Sequence, residues 1–238
     1  MKKFWFIALV AAFSLNGMAQ NTWEMTEEER QALKEKQELQ QRKQKEKQER
    51  KQNKSAQVAA VSEVEAKYAQ GAVPVVDGKV VFESTVMCPG KSKKQIMDLA
   101  TEFLQETADE PNQIVYENGG KISKVAFSDE KDGVVSGRYY EHLVFTNKAL
   151  SLDQTDFDYT LIVKCTDGKA VITMSRIRYV YEANRPEIGW NEPAEEIITD
   201  ENAFTKKGTK LNRAYGKFRR KTIDRKNYLF TQFEKKLK

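Results

Sequence analysis

Among its 238 residues the chain has one histidine, His142, and two cysteines, Cys88 and Cys165. A structural or catalytic zinc site draws on several His and Cys ligands at short spacing, and this inventory does not supply them. A Ser-His-Asp triad would have to use His142, and no G-x-S-x-G elbow stands ready to present its nucleophile. Neither a G-x-x-x-x-G-K-[ST] phosphate loop nor a G-x-G-x-x-G fingerprint occurs. Asp153, Asp156 and Asp158 open like a calcium loop, but the Gly and Glu that should follow are missing. Past residue 20 no apolar run approaches the roughly 20 residues that a membrane-spanning helix needs. These absences leave no catalytic residue, metal or cofactor to assign, and the chain is expected not to be an enzyme.

What is present starts with an address. Lys2 and Lys3 precede an apolar run from Phe4 to Leu15, and Gly17-Met18-Ala19 then places small residues at a cleavage site. That is the pattern of a secretory signal peptide over residues 1–19, with the mature chain starting at Gln20. No cysteine follows the cut, so a lipoprotein terminus is not expected. The mature chain is read as exported, periplasmic or secreted, with no transmembrane helix.

Charge divides the rest. Residues 55–205 hold fifteen Lys/Arg against twenty-five Asp/Glu, whereas residues 206–238 hold thirteen against two. An acidic body therefore carries a strongly basic tail, and the tail is expected to pack at least in part on that body.

Residues 20–54 read as a charged helical spacer. Thr26 and Glu29 fit a capping box, and Lys34, Glu38, Arg42, Glu46 and Arg50 alternate in sign at helical i, i+4 spacing. Leu33 and Leu39 alone do not make the repeated apolar seam of a strong coiled coil. Residues 55–76, punctuated by Gly71 and Pro74, read as a linker with a weak helix from Val58 to Tyr68.

From Asp77 the pattern is globular. Val80, Phe82, Val86 and Cys88 share one strand face, and Ser92-Lys93-Lys94-Gln95 is a second capping box. It opens a helix whose Ile96, Leu99, Ala100, Phe103 and Leu104 keep the amphipathic rhythm. Strands follow, with Val135, Tyr139, Leu143 and Phe145 on one face and His142 on the other. Asp167-Gly168 joins FDYTLIVKC to KAVITMSRIRYVY, a strong hairpin signal. Residues 182–205 read as an acidic loop, and residues 206–238 as a basic helix that Gly216 can interrupt. The order predicts an α+β domain, an antiparallel sheet covered on one face by two helices, with a core over 77–181.

The GKVVFESTV strand, the SKKQIMDLATEFL helix and the YTLIVKCTDGKAVITMSRIRYVY hairpin resemble a family of exported bacterial domains of unknown function with a TATA-binding-protein-like (TBP-like) fold. The resemblance covers roughly residues 78–181 and carries no catalytic residue. Because fold does not imply function, DNA binding is not implied. The resemblance does imply that the first strand pairs antiparallel with the last. Cys88 and Cys165 would then lie one strand short of being neighbours, ~10 Å apart, beyond the ~7 Å that a disulfide allows. Both thiols are expected free and buried.

The basic helix offers the candidate interaction surface: Tyr215, Lys217, Phe218, Arg219, Arg220, Lys221, Arg225 and Lys226. Basic clusters with aromatics suit a protein, glycan or anionic membrane partner, and in an exported protein these outrank nucleic acid. The chain is expected to be a monomer acting as a non-catalytic binding or interaction module. A small-ligand domain with a cleft between sheet and C-terminal helix and an enzyme with carboxylate chemistry are the alternatives.

Overall fold

The computed structural model describes residues 26–115, 120–148, 151–183, 185 and 187–238; the expected signal peptide lies outside them. The chain divides into two units, the first ending at Ser62 and the second running Glu63–Lys238.

Helix α1 spans Glu27–Ala66. It continues through residues 55–66, where a linker with only weak helix was expected. The reason is local: SAQVAAVSEVEA contains no Gly or Pro, and the first breaker is Gly71. At 1.5 Å per residue its 40 residues extend about 60 Å. Among the described residues no helix is long and apolar enough to cross a membrane.

The second unit begins with a small ribbon, β1 (Val75–Val76) and β2 (Lys79–Val80), turned by Asp77 and Gly78, both at positive φ. The main elements follow: β3 (Phe82–Met87), α2 (Lys93–Ala108), β4 (Lys124–Asp129), β5 (Val134–Lys148), β6 (Ser151–Thr166), β7 (Lys169–Tyr181) and β8 (Trp190–Pro193). Helices α3 (Ala194–Ile197), α4 (Asp200–Ala203) and α5 (Gly216–Leu237) complete the chain. The expected acidic loop over 182–205 thus contains a strand and two short helices, whose apolar Ala194, Ile197, Ile198 and Ala203 are buried. The C-terminal helix starts at Gly216 rather than 206. Asn212 holds the turn before it by accepting from the Tyr215 N–H at 2.7 Å.

The sheet is antiparallel throughout, ordered β3-β7-β6-β5-β4. β8 pairs Tyr181 to Arg178 on the edge of β7 that β3 uses further along, at Met174 to Lys169. One face is packed. Ile172, Met174 and Tyr179 of β7, Phe157, Leu161 and Val163 of β6, and Val135 and Tyr139 of β5 meet α2 through Ile96, Ala100, Phe103 and Leu104. They also meet α5 through Phe218, Ile223, Leu229 and Phe233, and the helices touch each other where the Phe103 and Phe233 rings lie 5.2 Å apart. Helix α2 has the expected capping box: the Ser92 hydroxyl accepts from the Gln95 N–H, and the Gln95 side chain accepts from the Ser92 N–H.

Strand β5 carries Gly137 because Tyr139 needs its place. The Tyr139 ring lies over Gly137 and its hydroxyl donates to the Leu104 carbonyl at 2.9 Å, tying sheet to helix α2. A methyl on residue 137 would overlap that ring. Gly137→Ala is expected to cost about 1–3 kcal/mol, the range for overpacking a filled core, read as a lowered urea midpoint; an unchanged midpoint would show that the ring has somewhere else to go.

Cys88 and Cys165 are free, buried thiols. Cys165 lies on β6 and Cys88 just past the end of β3, with β7 between, as the strand order requires. Burial, with Cys88 close by, pushes the Cys165 thiol up to about 11. Only the thiolate alkylates readily. At pH 8 iodoacetamide is therefore expected to leave Cys165 untouched in the native protein and to label both thiols in urea. A native mass showing an intrachain bridge would contradict the strand order.

Candidate functional site on the open face of the sheet

The expected surface on α5 is largely interior. A helix packed on a sheet turns every third or fourth residue inward, and Phe218, Arg219, Thr222, Leu229 and Phe233 take those places. Phe218 sits in an aromatic cluster, its ring 4.5 Å from Phe145 and 5.1 Å from Trp190, with Tyr215 beside Trp190. Lys217 donates to Asp153 at 2.7 Å and to the Tyr181 hydroxyl at 3.0 Å. Arg219 and Arg225 are hydrogen-bonded within the fold, Arg220 lies on the Tyr68 ring, and Lys226 is half-buried near Phe82. Of the eight, only Lys221 is exposed. The basic tail packs on the acidic body, and these eight side chains do not form one free surface.

Arg225 anchors a buried polar cluster that sequence reading missed. Residues 135, 139 and 143 mark the packed face of β5, and Glu141 has the same parity, so it points inward with 0% exposure. Arg225 donates to Glu141 Oε2 through Nε at 2.8 Å and to Oε1 through Nη2 at 2.6 Å, and Nη2 also reaches Glu110 at 2.6 Å. Asn112, Gln113 and the Tyr159 hydroxyl donate to the same carboxylate. Burial, reinforced by the Glu141 charge, drives the Tyr159 phenol far above its usual range. Every oxygen of Glu141 is satisfied and closed off from solvent. This cluster holds the sheet to α5 and to the segment after α2; it has no room for a substrate.

The three aspartates spaced like the start of a calcium loop do not converge. Asp153 binds Lys217, Asp158 binds Lys121, and Asp156 lies 3.3 Å from His142 Nδ1, with His142 on the face away from the core as its parity requires.

Among the described residues of the second unit no helix covers the other face of the sheet, whose outward residues include Ser136, Arg138, Ile162, Lys164, Thr173 and Arg178. A depression of about 330 Å³ opens there. Register explains its walls. Tyr140, Asp158 and Arg178 are cross-strand partners on β5, β6 and β7, and Arg138 and Thr160 form the next outward row. Lys121, just before β4, closes one side: its ammonium bonds Asp158 Oδ2 at 2.6 Å and lies 5.2 Å from the Tyr140 ring centre.

Arg176 reaches this depression through a β-bulge. Between Asp158↔Arg178 and Thr160↔Ser175, β7 has two residues where β6 has one. The buried positions of β7 accordingly change parity, from Ala170, Ile172 and Met174 to Ile177 and Tyr179. Without the bulge, residue 176 would fall on the packed face. Arg176 sits at the slip with φ +54°, a left-handed conformation that non-glycine residues adopt at a cost.

The charges of the depression are unevenly matched. Arg178 donates to the Asn191 carbonyl and side chain, and Lys121 is paired. Arg138 and Arg176 are exposed, and their guanidinium groups form no ion pair or hydrogen bond with the described residues. Asp158 is only 8% exposed, yet its Oδ1 has no hydrogen-bond partner.

An antiparallel sheet with helices on one face and an open second face defines a TBP-like α+β protein. The family model described as "Domain of unknown function (DUF4468) with TBP-like fold" matches residues 82–180. A DUF4468 family protein from Bacteroides ovatus is similar over 72% of this chain and 94% of its own, with 37% identity and a TM-score of 0.63. The chain belongs to this DUF4468 family. A TBP-like protein from Parabacteroides distasonis shares the fold at 19% identity and TM-score 0.54, over 69% of this chain and 96% of its own. No match is found among curated proteins.

Proposed function

We propose that the mature chain is an exported, non-catalytic binding protein whose contact surface is the open face of the sheet. The observation that carries this reading is the contrast between the two faces: one is filled by α2 and α5, the other bears unpaired cations around a buried, half-satisfied carboxylate. The alternative cleft between sheet and C-terminal helix loses support, because Phe157, Tyr179, Phe218 and Phe233 fill that layer. Export rests on the Lys2-Lys3, apolar and Gly17-Met18-Ala19 pattern. The charged part of α1 acts as a spacer, its alternating pairs keeping it helical in water.

A photo-crosslinking residue at Thr173, on the open face, tests this against one at Lys235, on the outer side of α5. In cells producing the protein, Thr173 should yield covalent adducts and Lys235 should not. Adducts from Lys235 alone would move the contact surface to the helices.

A further inference from the structure

We infer that the mature chain pairs with a second copy of itself through the free edge of β4, in an antiparallel β4–β4 contact about a two-fold axis. The inference goes beyond the open-face reading and does not depend on it. It replaces the monomer expected from the sequence.

Strand β4 ends the sheet. Among the described residues no strand lies beyond it, and Lys124–Asp129 make no backbone hydrogen bond outside the ladder with β5. Such an edge presents unpaired N–H and C=O groups to any strand that can lie beside it. A bulge and a lysine are also common guards of an edge, and β4 has both. Three large apolar side chains argue against a guarded edge. Phe127 on β4 is 54% exposed, and Ile122 just before it is 60% exposed. Val115 is 88% exposed, next to the Ile114 N–H that bonds the Tyr140 carbonyl along the same side of β5.

Charge chooses the occupant. Strand β4 reads KVAFSD, with a cation at one end and an acid at the other. The Lys124 ammonium is exposed and forms no ion pair or hydrogen bond with the described residues. Asp129 accepts from the Asp132 N–H through Oδ1, which leaves Oδ2 for a partner. Laid antiparallel on a second β4, Lys124 stands opposite Asp129 of the second copy, and the two-fold axis makes this pair twice. Directly opposed residues must share a face of the sheet. In a regular strand residues 124 and 129, five apart, would face opposite ways. The bulge between Val125 and Phe127 corrects this: Lys124 pairs with Arg138 and Asp129 with Val134, two β5 positions of the same parity. The irregularity of the edge is what makes it complementary to itself. Strand β3, at the other end of the sheet, has Glu83 as its one charge and offers no such match.

The contact is small, six residues from each copy with a bulge at its centre. It falls well below the roughly 1,200 Å² of a stable interface, so the dimer is weak and reversible. Its axis runs perpendicular to the sheet and sets two open faces side by side. A ligand with repeated units would then be held at two points.

Sedimentation velocity of the full mature chain, from about 5 to about 500 μM to suit a contact of this size, should show a monomer–dimer equilibrium. Lys124→Glu and Asp129→Lys each bring like charges together at both ends of the pair. Each should weaken the dimer about tenfold or more. Mixed in equal amounts, the two variants should form a heterodimer within about threefold of native strength, because both ends then join opposite charges. Lost folding cannot produce that recovery, since two misfolded chains do not repair each other. A monomer throughout the range, or growth beyond the dimer as a β3–β4 contact would give, would overturn the pairing. So would single variants that associate like the native chain, as association through α1 would, or no recovery on mixing.

Discussion

Arg225→Met is expected to destabilise the protein by about 3–5 kcal/mol, the usual consequence of removing one member of a buried ion pair. The cost comes mainly from what is left behind. Glu141 is 0% exposed, and without Arg225 its charge is compensated only by neutral donors from Asn112, Gln113 and Tyr159. Glu110 loses its partner at 2.6 Å as well. Glu141→Gln should cost less, because Arg225 keeps Glu110 and the amide oxygen still accepts hydrogen bonds. The double variant Arg225→Met/Glu141→Gln should be more stable than Arg225→Met alone, since no unpaired charge then remains in the interior. Urea unfolding of the three variants checks the order. Additive losses in the double variant would mean that the two residues do not act as a pair.

Arg219→Met is the second large effect, again a loss of several kcal/mol by the same accounting of buried groups left unpaired. Arg219 is 0% exposed, and burial pulls its guanidinium below the ordinary arginine range, partly offset by Asp200. It donates to the carbonyls of Tyr68 at 3.0 Å, Ala69 at 2.5 Å and Ile198 at 2.7 Å, and pairs with Asp200 at 2.7 Å. Asp200 in turn accepts from the Gly71 N–H at 2.7 Å. One side chain therefore fastens the segment after α1 and the α3–α4 turn to helix α5. Methionine matches much of the volume and none of the five donors. Arg219→Lys should fail almost as badly, because an ammonium cannot reach three carbonyls in a planar fork. A distinctive sign is local: proteolysis near Gly71 should appear in Arg219→Lys before global unfolding. Loss of stability without early cutting there would show that the anchor serves α5 alone.

Much of this architecture can be read locally. The alternation in β3 and β5, the Ser92–Gln95 box and the Asp167-Gly168 turn depend on neighbours a few residues apart, so the strands and α2 emerge from the sequence close to where they lie. Two further signals were present but unread. Apart from its tyrosines, the polar residues of AVITMSRIRYVY fall at 173 and 175 and then at 176 and 178, a change of parity that records the bulge and sets Arg176 apart. Glu141 shares the parity of Tyr139 and Leu143, which marks it as an acid facing inward. Helix ends were less legible, as at Ala66 and Gly216, because propensity continues or fades gradually where tertiary packing makes a sharp choice.

The order of strands and helices, the sorting of apolar residues to one face, the acidic body and the basic tail follow from the sequence by itself, because each depends on period, turn chemistry and charge along a short stretch. Which cations are bound and which remain free is decided only by the tertiary structure. Arg225 meets Glu141 across 84 residues and Arg219 meets Tyr68 across 151. Arg138 and Arg176 come together on the open face only because β6 runs between their strands. All four are arginines, and residue type does not separate them. Desolvation and partner geometry do, and both are properties of the packed sheet and helices rather than of any one segment.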